Sequence, residues 1–207
     1  MPQLVDPDFP GALIHYTGEG QMTLLEYMKQ RLGVTSNEQD VQLSCSLNIA
    51  GVACEKYADN IFDKRQVIEE HERKLSPIPL RYFPASDLFS VELDGQDETE
   101  RFTLYNSQGI VWAKGESWSH GTTFEQLSLI YDAGYSPMPL DLADAIVTAA
   151  IAYENQSTVT AGAVKKETIV GVGSIEYNVG SEASSGDYGM IPAAVISVLE
   201  RYTRRHA

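Results

Sequence analysis

The 207-residue sequence predicts an α+β fold, mainly α-helical, in which a helical core carries an inserted small antiparallel β-meander and extended N- and C-terminal arms. Three observations predict it. Two helix-start signatures stand close together, each a hydroxyl residue three positions before Glu or Gln: Thr23–Glu26 and Ser36–Gln39. Between Ile78 and Tyr135 the apolar residues change to alternation, the period of a half-buried strand. After Pro139 comes a long run that is nearly all apolar and rich in helix formers.

Taken in order, residues 1–22 hold Pro2, Pro7, Pro10, Gly11, Gly18 and Gly20 without a clear period and read as an extended arm. The core spans 23–156. Its first helix, about 23–33, starts at Thr23 and stops at Gly33, a residue suited to a helix C-terminus. The second, about 36–62, places Leu43, Leu47, Ala50, Cys54, Tyr57 and Ile61 at steps of four and three, an apolar stripe on one face. Residues 63–75 suit either a helix or a charged edge strand across Val67–Glu72. The β-insertion, about 64–135, shows Phe89, Val91 and Leu93 in alternation before the turn pair Asp94-Gly95. Phe102 and Leu104, the run IVWA, and Leu127, Leu129 and Tyr131 continue it.

The third helix, about 139–155, opens on Pro139, a good first-turn residue. Asp141, Asp144 and Thr148 form a narrow polar stripe on it, and Ala145, Ala149 and Ala152 form an edge that another helix can approach closely. Residues 157–207 read as a second arm, with a strand within ETIVGVGSIEY and a terminal helix whose Val195, Val198, Leu199 and Tyr202 share a face.

Composition narrows the function. The formal net charge is −14, and such a surface repels nucleic acid, whose affinity rests on Lys and Arg neutralising phosphates. It suits a soluble protein, or one that must not stick to DNA passing close by. The exception is the C-terminus, RYTRRHA, with Arg201, Arg204 and Arg205. No apolar run approaches the roughly 20 residues of a membrane helix, and the N-terminus lacks the pattern of a signal peptide; a soluble product made in the cytoplasm is expected. Cys45 and Cys54, about 13 Å apart along one helix, lie beyond the reach of a disulfide within it and read as small buried hydrophobes.

No chemistry emerges. Glu69, Glu70, His71 and Glu72 suggest a metal set, but successive strand residues face opposite sides, and a solvated charged surface is the expectation. The Gly171/Gly173 pattern has Glu176 where a third glycine would stand, and no helix opens after it. Ser119-His120 sits in a Gly/Ser-rich loop without the context of a nucleophile elbow. Trp112 and Trp118 read as core or interface anchors. No catalytic, metal or cofactor site is expected.

The order of elements carries a resemblance. Two capped helices lead to VELDG, NSQGIVW, WSHG and LSLIYDAGYSPMPLDLADAI, and KKETIVGVGSIEY precedes IPAAVISVLERYTRR. Over about Thr23 to Arg205 this resembles the head–tail connector (adaptor) proteins of long-tailed bacteriophages and their prophage relatives. There, a strand ending in Tyr-x-Ala-Gly-Tyr leads through a proline into an interface helix; Tyr131, Ala133, Gly134, Tyr135, Pro139, Leu142 and Ala145 stand at the matching positions. The resemblance implies a structural virion protein at the head–tail junction, assembled in the host cytoplasm. It would form a ring, typically of twelve copies, beneath the portal, extend the DNA channel, and present a surface to the next connector or tail-completion protein. DNA would pass without sequence-specific binding.

On this reading Tyr135, Leu142, Ala145, Ile146, Ala149 and Ala152 are expected at the subunit interface. Val195, Val198, Leu199 and Tyr202, at helix-in-groove spacing, with Arg201, Arg204 and Arg205, are expected to dock on the portal. The alternatives are a non-viral acidic binding module, monomeric or dimeric with helix three buried inside one subunit, and an enzyme using Asp141, Asp144 or the Glu69–Glu72 cluster, for which no convergent partner is visible.

Overall fold

The computed structural model describes residues 3–4, 7–16, 20–72, 77–106, 109–114, 126–159, 166–169, 173–176 and 191–203. Helix α1 (Leu24–Leu32) begins as its residues dictate. The Glu26 N–H donates to the Thr23 hydroxyl at 3.2 Å, and the Thr23 N–H donates to Glu26 Oε2 at 2.8 Å, completing the capping box. It ends at Gly33, whose φ of 68° is left-handed.

Helix α2 (Asp40–Ala58) starts later than expected, and the Ser36–Gln39 box does not form: Gln39 caps without a side-chain bond. The reason lies in the preceding turn. Lys29 reaches across from α1 to Asn37 Oδ1 and Asp40 Oδ1, both at 2.7 Å, and holds the turn at 37–39 out of the helix, which opens at Asp40. Helix α3 (Leu140–Val159) follows Pro139, whose carbonyl accepts from Ala143 N–H at 2.9 Å. Helix α4 (Ala193–Leu199) is short.

The N-terminal segment expected as an arm is, over residues 7–16 and 20–22, part of the helical core. Phe9, in a tight turn at Phe9–Gly11, is fully buried against Gly51 of α2; a Cβ there would stand 2.4 Å from the phenyl ring. Strands β2 (Leu13–Tyr16) and β3 (Gly20–Thr23) form a hairpin that buries Ile14; Leu13 O accepts from Met138 N–H, and Ala12 O, just before the hairpin, accepts from Leu24 N–H. The outermost residues also pair, as strand β1 (Gln3–Leu4) against β4 (Arg65–Glu72).

The β-insertion holds two sheets rather than one meander. Strands β6 (Ala85–Leu93), β7 (Gln96–Asp97) and β10 (Gln126–Ala133) join β1 and β4 in a five-stranded antiparallel sheet, order β1-β4-β10-β6-β7. The last strand in sequence thus lies in the middle. Strands β5 (Ile78–Pro79), β8 (Phe102–Tyr105) and β9 (Ile110–Ala113) make a three-stranded sheet, order β5-β9-β8. Asp94 and Gly95, both at positive φ, turn β6 into β7 as the pair predicts. Strand β6 departs from simple alternation. Its register against β10 slips so that Ser90 and Leu88 oppose consecutive residues, Ile130 and Tyr131. The bulge throws Phe89 outward, 52 % exposed, while Val91 stays fully buried.

The architecture is therefore mixed α+β, not mainly helical. One apolar core lies among α1–α4 and the N-terminal turn, and a second between the sheets around Val67, Val91, Leu129 and Tyr131. The C-terminal strand expected across ETIVGVGSIEY is a hairpin, β11 (Lys166–Ile169) with β12 (Gly173–Glu176).

Candidate functional site

The chain passes between the two cores at residues 58–65 and 131–138, and that junction is the most elaborately bonded part of the described structure. On the sheet side, Tyr131 is fully buried; its hydroxyl donates to Glu69 Oε2 at 2.6 Å and accepts from Tyr82 N–H at 3.3 Å. Glu69 also accepts from Arg81 N–H at 3.0 Å, and His71 Nε2 lies 2.9 Å from its other oxygen. Burial works to raise the Glu69 pKa, but the adjacent His71 imidazole and the hydrogen bonds from Tyr131 and Arg81 outweigh it and hold the carboxyl below its ordinary value. Burial and the facing carboxylate push the Tyr131 phenol up. The expected solvated surface is thus corrected: alternation sends Glu70 outward but turns Glu69 and His71 into the core.

After Ala133 the strand must leave the sheet in a confined space. Gly134, at φ 102°, donates to Pro84 O at 2.9 Å, and Tyr135 N–H donates to Phe62 O at 2.9 Å. On the other crossing, Glu55 and Arg65 form a two-fold ion pair at 3.0 and 2.5 Å, both side chains buried. Glu55 accepts from Phe62 N–H as well, at 2.7 Å. Asn60 accepts from Ile61 and Phe83 N–H and donates to Tyr202 O at 3.1 Å, tying α2, the sheets and the C-terminal segment together. None of Glu55, Asn60 or Arg65 was singled out by sequence, because a lone polar residue carries no period or motif.

The residues expected at a subunit interface lie here, but mostly facing inward. Leu142, Ala145, Ile146 and Ala149 are buried among α1, α2 and α4, while Tyr135 and Ala152 are half-buried. The polar stripe of α3 is also taken up within the subunit. Asp144 accepts from Tyr27 at 2.8 Å and pairs with Arg31, which reaches Thr148 too. Asp141 accepts from the Tyr202 hydroxyl at 2.6 Å and pairs with Arg201.

The proposed docking helix α4 packs onto its own subunit. Val195 and Leu199 are buried in the helical core, and Val198 and Tyr202 pack against it. The Tyr202 ring meets Tyr135 and Phe62 edge to face, with centroids 5.8 and 6.2 Å apart. Arg204 and Arg205 lie outside the described residues, as do Trp118, Ser119 and His120.

What remains exposed is elsewhere. The outer face of α2 presents Val41, Cys45, Ile49 and Val52, and the sheets present Phe89, Tyr105 and Trp112. Cys45, expected to be buried, is exposed; Cys54 is buried, which pushes its thiol up to about 12. Trp112 is 46 % exposed and is no core anchor. Among the described residues no group of three or more His, Cys, Asp or Glu is placed to hold a metal, and no helix is long and apolar enough to cross a membrane.

No protein-family model matches this chain, and neither does any curated protein sequence. The fold, in contrast, is found in solved structures. A chain from the neck of an empty GTA particle, computed with C6 symmetry, matches with a TM-score of 0.62 at 16 % identity, covering 100 % of this chain and 97 % of that one. A chain from the neck of a native GTA particle, computed with C12 symmetry, matches with a TM-score of 0.58 at 14 % identity and the same coverage. A chain from the virion of a native gene transfer agent (GTA) particle gives 0.58 at 15 % identity, covering 90 % and 91 %.

Proposed function

We propose that this chain is a structural, non-enzymatic component of the neck of a phage-like particle: a head–tail connector that forms a ring, twelve copies in our reading, at the head–tail junction. The observation that carries this is the end-to-end fold likeness to chains from particle necks, with both chains covered almost completely. Likeness over the whole length of both chains argues for the same architectural unit rather than a shared supersecondary motif. The order of sequence motifs points the same way, from the Tyr131–Tyr135 junction through Pro139 into α3.

The chemistry supports this role. A net charge of −14 disfavours adhesion to the phosphates of passing DNA. Exposed apolar faces on α2 and on the sheets give a ring something to bury. The partners are further copies of the chain, the portal above, and the next connector or tail-completion protein below. Placement beneath the portal and extension of the DNA channel belong to this proposal.

A second reading, a monomeric or dimeric acidic binding module outside any virion, draws on one observation: α3 is buried inside one subunit. Deleting the gene in a particle-producing strain separates the two. A connector predicts that DNA-filled heads and free tails accumulate without joining. Normal yields of tailed particles would refute it.

A further inference from the structure

The outer face of α2 is anomalous for a solvated helix. Val41, Cys45, Ile49 and Val52 succeed one another at steps of four, four and three, and all are exposed, Val41 at 79 % and Val52 at 47 %. Charged residues make up 21 % of the chain, yet residues 41–54 contain none. The inner stripe of the same helix, Leu43, Leu47, Ala50 and Cys54, is already buried against the subunit core. A helix with apolar strips on two opposite faces is the pattern of one covered on both. Among the described residues nothing covers the outer strip.

The three-stranded sheet shows a second such face. Its inward residues Ile78, Val111 and Phe102 are buried. The opposite face pairs Thr103 with Trp112 and Tyr105 with Ile110, and continues to Pro79. Tyr105 and Trp112 are about half exposed, and none of the strand residues on this face is charged; Arg101 and Lys114, which pair just beyond the strand ends, border it.

We infer that the α2 strip of one copy packs on the Trp112 face of the next copy, and that this heterologous contact builds the ring. The inference rests on the connector reading above. Two features single out a second copy as the occupant. On a chain of net charge −14, identical copies repel wherever carboxylates meet, and these two neutral faces are where they approach at least electrostatic cost. The faces are also unlike, a helical ridge and a pleated aromatic surface. A two-fold dimer through either one leaves the other exposed, whereas head-to-tail pairing covers both in every copy and closes by rotation.

Cys45 makes this testable, because it is exposed in the middle of the strip while Cys54 is buried. Maleimide labelling of Cys45 is compared in the free chain and in intact particles, and disulfide formation is followed in particles carrying Trp112→Cys. The inference predicts loss of Cys45 labelling on assembly, and a ladder of disulfide-linked multimers that Cys45→Ser abolishes. Labelling in particles at the free-chain rate would overturn it while leaving the connector role standing. So would Cys45–Cys45 dimers alone, or a protected Cys45 with no ladder, which would assign the strip to a different protein. Absence of the chain from the particles would sink the connector reading itself.

Discussion

Gly134 and Asp63 approach so closely that a Cβ on Gly134 would lie 2.6 Å from the Asp63 carbonyl oxygen. The two crossings between sheet and helices touch at this point, and Gly134 also sits at φ 102°. Gly134→Ala therefore combines backbone strain with a main-chain clash. A loss of about 2–5 kcal/mol is expected, seen as a lower urea midpoint with an unchanged slope. An unchanged midpoint would mean the junction tolerates a side chain.

The Glu55–Arg65 pair is buried on both sides, so removing one partner strands the other. Arg65→Met should cost about 3–5 kcal/mol. Adding Glu55→Gln should recover part of that loss, because the neutral amide no longer needs a cation. A double variant as unstable as the sum of the two singles would show the pair to be uncoupled.

Glu69 supplies a pH signature. Its folded pKa lies below the ordinary 4.5, so its contribution is fully present above 4.5 and is lost as pH falls through the folded value. Glu69→Gln should be less stable than wild type at neutral pH by about 1–3 kcal/mol. The gap should close as both proteins are acidified below 4.5. Parallel stability curves across that range would remove Glu69 from the account.

Helix α4 buries Val195 and Leu199 in the helical core, and Ile191, just before it, is buried there too. Deleting residues 191–207 should lower the melting temperature of the isolated protein markedly, since each such side chain contributes about 1.5–3 kcal/mol. Retained wild-type melting would restore α4 to the role of a detachable docking arm.

Ala149 is only 2 % exposed, at the contact of α3 with its own subunit. Ala149→Glu should unfold or strongly destabilise the chain, by several kcal/mol, because it buries an unpaired carboxylate without room for it. Circular dichroism melts of the free protein check this. A folded variant that merely fails to assemble would return α3 to the subunit boundary.

Signals confined to a few neighbouring residues were legible in the sequence. The Thr23–Glu26 box, Gly33, the Asp94-Gly95 turn and the alternation of Leu127, Leu129 and Tyr131 each act over one turn or one strand, and each is found where it was expected. The Tyr131–Tyr135 motif was likewise visible, though its reasons were not. They are a phenol bonded to a carboxylate 62 residues away and a glycine pressed on Asp63. Tertiary structure alone decided the rest. Ser36 and Gln39 match a capping box as well as Thr23 and Glu26 do, but a lysine from the preceding helix claims the same turn. The inward stripe of α2, Leu43, Leu47, Ala50 and Cys54, was legible from its spacing, but in α3 apolar residues occupy nearly every side, so periodicity cannot say which face turns inward. That choice follows from what packs against it: α4 on one side, and Arg31 and Tyr202 drawing its acidic stripe into the subunit. Burial is a property of surfaces meeting across the chain, and a sequence lists the surfaces without saying which of them meet.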